Sequence, residues 1–280
     1  MRKINALFVA AIGVFGLLIG SFLNVVVYRV PAQKSIVAPA SACGSCGHAI
    51  RAHDNVPVIS WLMLGGKCRD CTSPISKRYP LVELGTGLFF ALIAAWAITD
   101  SGMPILPARL VPAVLAGVAF LYFAAIGVAL SLIDLDTHRL PNVIILPSYL
   151  VGIVLLGASS LVSANYSALI SAAIGAAIMF AAYFIMAIAY PGGMGFGDVK
   201  LAGVIGLYLG WLGWSALAVG FLAAFVLGGL YSIALILARK ATRKSGVPFG
   251  PWMVAGAWVG ILAGTPIVHF YLSLVGIGES

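Results

Sequence analysis

Between Arg139 and Asp198 the chain carries no charged residue, and after Lys200 it is again uncharged as far as Ala238. These runs constrain the fold more than any other feature. A helix needs about 20 apolar residues to cross the hydrocarbon of a bilayer, whereas a water-soluble surface needs interspersed charge that such runs do not supply. Composition agrees: of 280 residues, 62% are hydrophobic and 9% charged. The chain is read as an all-α polytopic membrane protein.

The first apolar run, Ile4 to Tyr28, follows Arg2 and Lys3 as a signal peptide would. It is too long for a removable core of about 7–15 residues and is read as a retained span. A second span follows Glu83 and ends near Thr99, and a third runs from Leu110 to Ile133. The polar break Ser163-Ala164-Asn165 divides the next uncharged stretch into two. The run after Lys200 exceeds the roughly 17–25 residues of one span, so a turn at Gly210-Trp211-Leu212-Gly213 is expected to make a short helix and a full one. A last span covers Pro251 to Leu274, giving about eight transmembrane helices.

Basic residues set the orientation. With the amino terminus outside, all lysines and arginines except Arg2, Lys3 and Arg109 fall on the cytoplasmic side, Arg243 and Lys244 among them. The formal charge of +8 is then met by anionic lipid headgroups and calls for no nucleic-acid partner.

One sizeable polar region remains, and it holds every cysteine, as Cys43-x-x-Cys46 and Cys68-x-x-Cys71 separated by 21 residues. On the cytoplasmic side thiols stay reduced, so the pairs point to metal rather than to disulfides. Each pair forms a knuckle aiming two thiolates at one ion, and two knuckles complete the tetrahedron of a structural zinc site. His48 and His53 are read as exposed polar residues. About fifty residues bury little core, so a metal cross-link would supply the order.

Of the eight acidic residues, Glu83, Asp134, Asp136 and Asp198 lie beside spans. Ionisable groups at membrane depth are costly and usually face a functional cavity. Two complete spans separate Asp134 from Asp198, so both return to one membrane face. Two carboxylates in one site do not both ionise readily; one serves as base toward water while the other protonates a carbonyl. Asp134 and Asp136 both qualify as the first, and a two-residue offset on a helix points them apart. Asp198 sits in Pro191-Gly192-Gly193-Met194-Gly195-Phe196-Gly197-Asp198-Val199-Lys200, where glycines let the backbone bend and approach a substrate strand.

In these elements the chain resembles the type IV prepilin peptidase family of aspartic membrane proteases. The resemblance is carried by Gly20 to Pro31, the two cysteine pairs, Ile75 to Glu83, Ile133-Asp134-Leu135-Asp136 running to Pro141, and Gly195-Phe196-Gly197-Asp198. It implies an enzyme that cuts the leader of prepilins and pseudopilins after glycine, at the cytoplasmic side of the inner membrane, with Asp134 and Asp198 catalytic. Asp136, Gly195, Gly197, Lys200 and Glu83 are possible accessories. The cysteine-bearing loop implies methylation of the new amino terminus from S-adenosylmethionine, with Gly66 and Lys67 matching the family's methyl-transfer positions and Cys43, Cys46, Cys68 and Cys71 holding zinc. Residues 1–28 are then a first transmembrane helix, 29–80 a cytoplasmic zinc module associated with methyl transfer, and 81–280 the peptidase core. The alternatives are a peptidase whose loop is only structural and a proton-coupled transporter, which would place its acids near mid-membrane rather than at one edge.

Overall fold

The computed structural model describes residues 2–100, 107–190, 192–240 and 246–276. Pro191 of the glycine-rich stretch and Arg243 and Lys244 of the basic set lie outside the described residues. Those described are helical almost throughout, with two isolated β-bridges in the cysteine region. The helices are α1 (Arg2–Arg29), α2 (Ile59–Met63), α3 (Arg78–Asp100), α4 (Pro107–Thr137), α5 (Asn142–Val162), α6 (Tyr166–Ala189), α7 (Phe196–Leu212), α8 (Trp214–Leu237) and α9 (Gly250–Leu274). A short 3₁₀ turn, Ala52–Asn55, precedes α2.

Among the described residues seven helices are long and apolar enough to cross a membrane. The remaining long helix, α7, is the short one expected after Lys200; it runs 17 residues and stops at Gly213, whose φ of +124° only glycine adopts without strain. It is also the most enclosed, with every residue from Val199 to Gly210 except Lys200 buried. Elsewhere the outward faces are apolar. On α8, Leu222, Val226, Leu230 and Ile233 are all exposed, a stripe that suits lipid rather than water. The chain is a multi-pass membrane protein.

Two element boundaries differ from the sequence reading. Helix α3 begins at Arg78, whose N–H is taken by Ser76 Oγ at 3.2 Å, so Glu83 lies inside the helix rather than ahead of it. Pro80 does not interrupt this start, since a first-turn residue has no intrahelical bond to lose. Helix α4 continues to Thr137, which puts both Asp134 and Asp136 in its last turns.

The chain divides into two compact units. The first comprises Met1–Leu106 with Phe120–Ala129 of α4. In it α1 lies against α3 along a seam of small residues: a Cβ on Gly16 would stand 2.9 Å from Gly87 Cα, and one on Gly20 2.7 Å from Glu83 Cα. The second comprises Pro107–Ala119 and Leu130–Ser280. There α6 meets α7 at Gly175, Gly206 and Gly210, and α8 meets α9 at Gly220, Ala224, Gly256 and Gly260. Hydrocarbon gives apolar helices no reason to associate, so close backbone approach through small residues has to supply the contact.

Candidate active site and metal centre

Asp134 and Asp198 are both held inside the second unit. Helix α4 ends when His138 enters the left-handed region (φ +52°) and its N–H donates to Asp134 O at 2.8 Å. Arg139-Leu140-Pro141 then turns the chain into α5. Asp134 is 5% exposed, and its Oδ2 accepts the Gly250 N–H at 2.9 Å. Asp136, two positions on, is exposed.

Asp198 stands in the first turn of α7. Its Oδ2 accepts the Gly195 N–H at 3.0 Å, and its own N–H donates to Gly195 O at 3.0 Å, which closes the turn reciprocally. Its Oδ1 is buried without a hydrogen-bond partner. Helix amino termini present unpaired N–H groups and the positive end of the helix dipole. Asp198 uses the start of α7, and Asp134 reaches the first residue of α9. One turn residue, Leu140, links the two: it lies against Gly197, next to Asp198, and against Gly250, which bonds Asp134.

Leu140 fits these two helix starts together. A Cβ on Gly197 would fall 2.8 Å from Leu140 Cβ, and one on Gly250 would fall 2.8 Å from Asp134 Oδ2 and 3.3 Å from Leu140 Cδ2. Gly195 and Gly197 therefore serve different ends: Gly195 supplies an N–H, Gly197 supplies room. Lys200 Nζ donates to Asn142 Oδ1 at 3.0 Å and lies 4.9 Å from the centre of the Phe196 ring. Tyr183 of α6 is fully buried against Phe221, Phe225 and Phe249, and its hydroxyl has no partner among the described residues.

Sequence reasoning missed Gly250, Leu140 and Tyr183. Only Gly250 left a signal: Gly250-Pro251 is a helix-start pattern at the membrane face where Asp134 and Asp198 also lie.

In the first unit the four cysteine sulfurs lie within 4.8 Å of one another, and Cys43 Sγ stands 3.7 Å from Cys71 Sγ. Tetrahedral zinc with Zn–S bonds of about 2.3 Å sets its sulfurs about 3.8 Å apart, so the cluster fits a metal ion. The two knuckles repeat one pattern. The Cys43 N–H donates to His48 O at 2.9 Å and the Gly47 N–H to Cys43 O at 2.9 Å; the Cys68 N–H donates to Ser73 O at 2.8 Å and the Thr72 N–H to Cys68 O at 3.0 Å. Gly47 and Thr72 share the position that requires positive φ, +74° and +58°. Backbone N–H groups of Cys46 and Ser45 bring the Cys43 thiol down to about 6, while burial and the neighbouring thiols push Cys46 up to about 12, as expected of sulfurs crowded together. His48 and His53 are exposed and outside the cluster.

Gly66 is buried with φ +69°, and a Cβ there would strike the Trp61 ring at 2.7 Å. Lys67 beside it is exposed. Glu83 is 8% exposed, and its Oε2 accepts the Val58 N–H at 2.7 Å.

Residues 14–97 match the family model described as the bacterial peptidase A24 N-terminal domain, and residues 121–233 match the type IV leader peptidase family. Similar proteins named prepilin leader peptidase/N-methyltransferase occur in Aeromonas hydrophila (34% identical, covering 95% of this chain and 94% of the relative) and Pseudomonas aeruginosa (33%, covering 96% and 95%). One in Stutzerimonas stutzeri is 34% identical, covering 95% and 94%. This chain belongs to the type IV leader peptidase family. Its family matches separate the two sets of side chains: the four cysteines, Gly66, Lys67 and Glu83 fall in the N-terminal match, and Asp134, Asp136 and Asp198 in the peptidase match. No solved structure matches this chain.

Proposed function

We propose that the protein cleaves the leader of type IV prepilins or pseudopilins after glycine and then N-methylates the new terminal residue. The observation that carries the reading is the pair of buried carboxylates, Asp134 and Asp198, each held by one N–H at a helix start in a chain of this family. Orientation by basic residues puts this pair at the cytoplasmic rim of the inner membrane. A prepilin with its apolar helix in the bilayer and its basic leader in the cytoplasm presents its cleavage point at that depth.

In hydrolysis one carboxyl is ionised and the other protonated. The ionised one takes a proton from a water whose oxygen attacks the scissile carbonyl, and the protonated one gives its proton to the carbonyl oxygen. The tetrahedral diol then breaks its C–N bond as the first group passes its proton to the departing amine and the second, now ionised, takes a hydroxyl proton from the diol, which leaves the new carboxyl terminus and restores both groups. One N–H on each carboxylate leaves the opposite oxygen of each for this work; Asp198 Oδ1, buried and unpartnered, is the oxygen that would take its hydrogen bond from water or substrate. Lys200, Asp136, Gly195 and Gly197 support the site without taking protons from the substrate.

The four-cysteine cluster holds zinc and orders the 29–80 module, with residues 1–28 as its membrane anchor and 81–280 as the peptidase core. S-adenosylmethionine supplies the methyl group, and Gly66 and Lys67 stand at the methyl-transfer site. The test is co-expression with a prepilin and mass measurement of the product. A leader-free, singly methylated amino terminus is expected; an unmethylated terminus leaves a peptidase alone, and an intact leader removes the reading altogether.

A further inference from the structure

Helix α2 is little more than one turn long, and its two faces are used differently. On the inward face the Ser60 hydroxyl donates to His53 O at 2.9 Å and accepts the Val56 N–H at 3.1 Å, and Trp61 Nε1 donates to Ile75 O at 3.1 Å. These bonds fix the rotation of the turn. On the outward face Ile59, Leu62 and Met63 stand at helix-face spacing and are 56%, 64% and 81% exposed. Three large apolar side chains grouped on a small polar module mark a surface that something other than water covers.

The place of α2 against α3 says what that is. The Val58 N–H, next to Ile59, donates to Glu83 Oε2 at 2.7 Å. Val58 takes φ +62°, a strained value for a β-branched residue that persists only where the surroundings hold it, so the attachment is fixed. Helix α3 enters its membrane span at Arg78, and Glu83 lies about 7.5 Å further along the axis at 1.5 Å per residue. Lys77 and Arg78, both exposed, mark the headgroup level where the span begins. Leu81 and Leu84, on either side of Glu83, are exposed on the span itself. The outward face of α2 is therefore level with the first turns of a lipid-facing helix.

Charge agrees with this placement. The nearby acids are engaged or turned inward: Asp54 takes Arg69, Asp70 takes Arg51, and Glu83 is nearly buried. Lys77 makes no ion pair among the described residues, which leaves it for an anionic headgroup.

We propose that α2 is a membrane-surface anchor whose Ile59, Leu62 and Met63 enter the leaflet on the module's side, with Lys77 at the phosphate of an anionic lipid. The partner is a phospholipid bilayer. Interfacial helices bury their apolar face about 5–10 Å into the headgroup and acyl boundary, which is the depth of Glu83 along α3. The anchor sets the height of the cysteine knuckles above the lipid. It goes beyond the function proposed above and holds whether or not a methyl group is transferred.

Photo-crosslinking of the full-length, zinc-loaded protein in nanodiscs of phosphatidylcholine and phosphatidylglycerol tests the anchor. A benzophenone amino acid replaces Met63, or Leu62 if the Met63 variant loses its zinc. Thr72, exposed on the second knuckle, carries the same probe as the control. Mass analysis after irradiation is expected to find phospholipid adducts at Met63 in about fivefold excess over Thr72, as an apolar face seated in lipid requires. Equal lipid yields at the two positions overturn the proposal. So do adducts to a second copy of the chain, or to an added prepilin, in place of lipid, and so does the absence of any adduct.

Discussion

The cysteine module and the aspartate pair solve the same problem, holding reactive side chains at fixed separations, by opposite means. In the module each knuckle is closed by backbone bonds spanning four or five positions, and its cysteines are only half-buried. The aspartate pair depends on partners far along the chain: Asp134 and Gly250 are 116 positions apart, and α7 and α9, which start beside the two aspartates, pack on α6 and α8 through glycine seams. One region is organised locally and completed by a metal. The other exists only when distant helices have packed. Damage to the first should therefore stay local, whereas damage to the helix seams should reach the chemistry.

The sharpest break is at the carboxylates. Asp134→Ala or Asp198→Ala should lower leader cleavage by about 10²–10⁴-fold or more, since each removes a proton-transfer group. Both proteins should remain in the membrane and keep their metal. Asp136→Ala, at an exposed position, should cleave nearly as wild type. The ratio of prepilin to mature pilin on a gel reads all three, and normal processing by either of the first two would end the assignment of the pair.

Metal removal breaks the other side of the comparison. Wild type should contain about one zinc per chain, and Cys43→Ser or Cys68→Ser should contain almost none, because three thiolates make a poor structural site. Methylation should disappear with the metal while leader cleavage continues, because the aspartates draw on helix packing rather than on the module. Zinc analysis beside mass measurement of the pilin terminus checks this. Loss of cleavage equal to the loss of methylation would show that the regions are not organised independently.

How much of this was legible in the sequence follows the same division. Cys43, Cys46, Cys68 and Cys71 announce their cluster because spacing within a knuckle is a local property, and Gly195-Phe196-Gly197 announces the turn that holds Asp198. The spans could be read from length alone. The preference for Asp134 over Asp136 came from family resemblance, and the structure separates them by burial. What holds Asp134 was invisible: Gly250 and Leu140 act by meeting distant residues, and segments that are apolar all round carry no periodic stripe to show which face meets which. Glu83 was equally opaque, because its partner is a backbone N–H that no side-chain pattern betrays.

The seams themselves offer an intermediate effect. A Cβ on Gly206 would lie against the Gly175 carbonyl, where backbone cannot yield as a side chain can. Gly206→Ala should cost about 1–3 kcal/mol and lower both the thermal midpoint in detergent and the cleavage rate. Gly44, between the first two cysteines, has nothing within 4 Å of such a Cβ, so Gly44→Ala should change stability by less than about 0.5 kcal/mol. Equal responses at the two positions would remove the distinction between a packed seam and a local knuckle.

The smallest effect belongs to the ion pair on the module. Arg69 takes both oxygens of Asp54, and this bond holds the Asp54 carboxyl below its ordinary range. A lowered carboxyl stabilises above its ordinary value near 4 and loses that contribution as pH falls through the lowered one. Arg69 is held toward its charged form and contributes at every pH below its own ordinary value, so at neutral pH the pair is fully present. Acid would protonate the metal thiolates before reaching Asp54, so salt is the cleaner variable. Arg69→Gln should weaken apparent zinc affinity by about twofold at low ionic strength, since exposed pairs are worth little. Because the guanidinium is 43% exposed, high salt should screen the pair and erase the difference. A deficit that survives high salt would mean that Arg69 packs the knuckle as well as charging it, and the module would then share with the helix seams a dependence on shape.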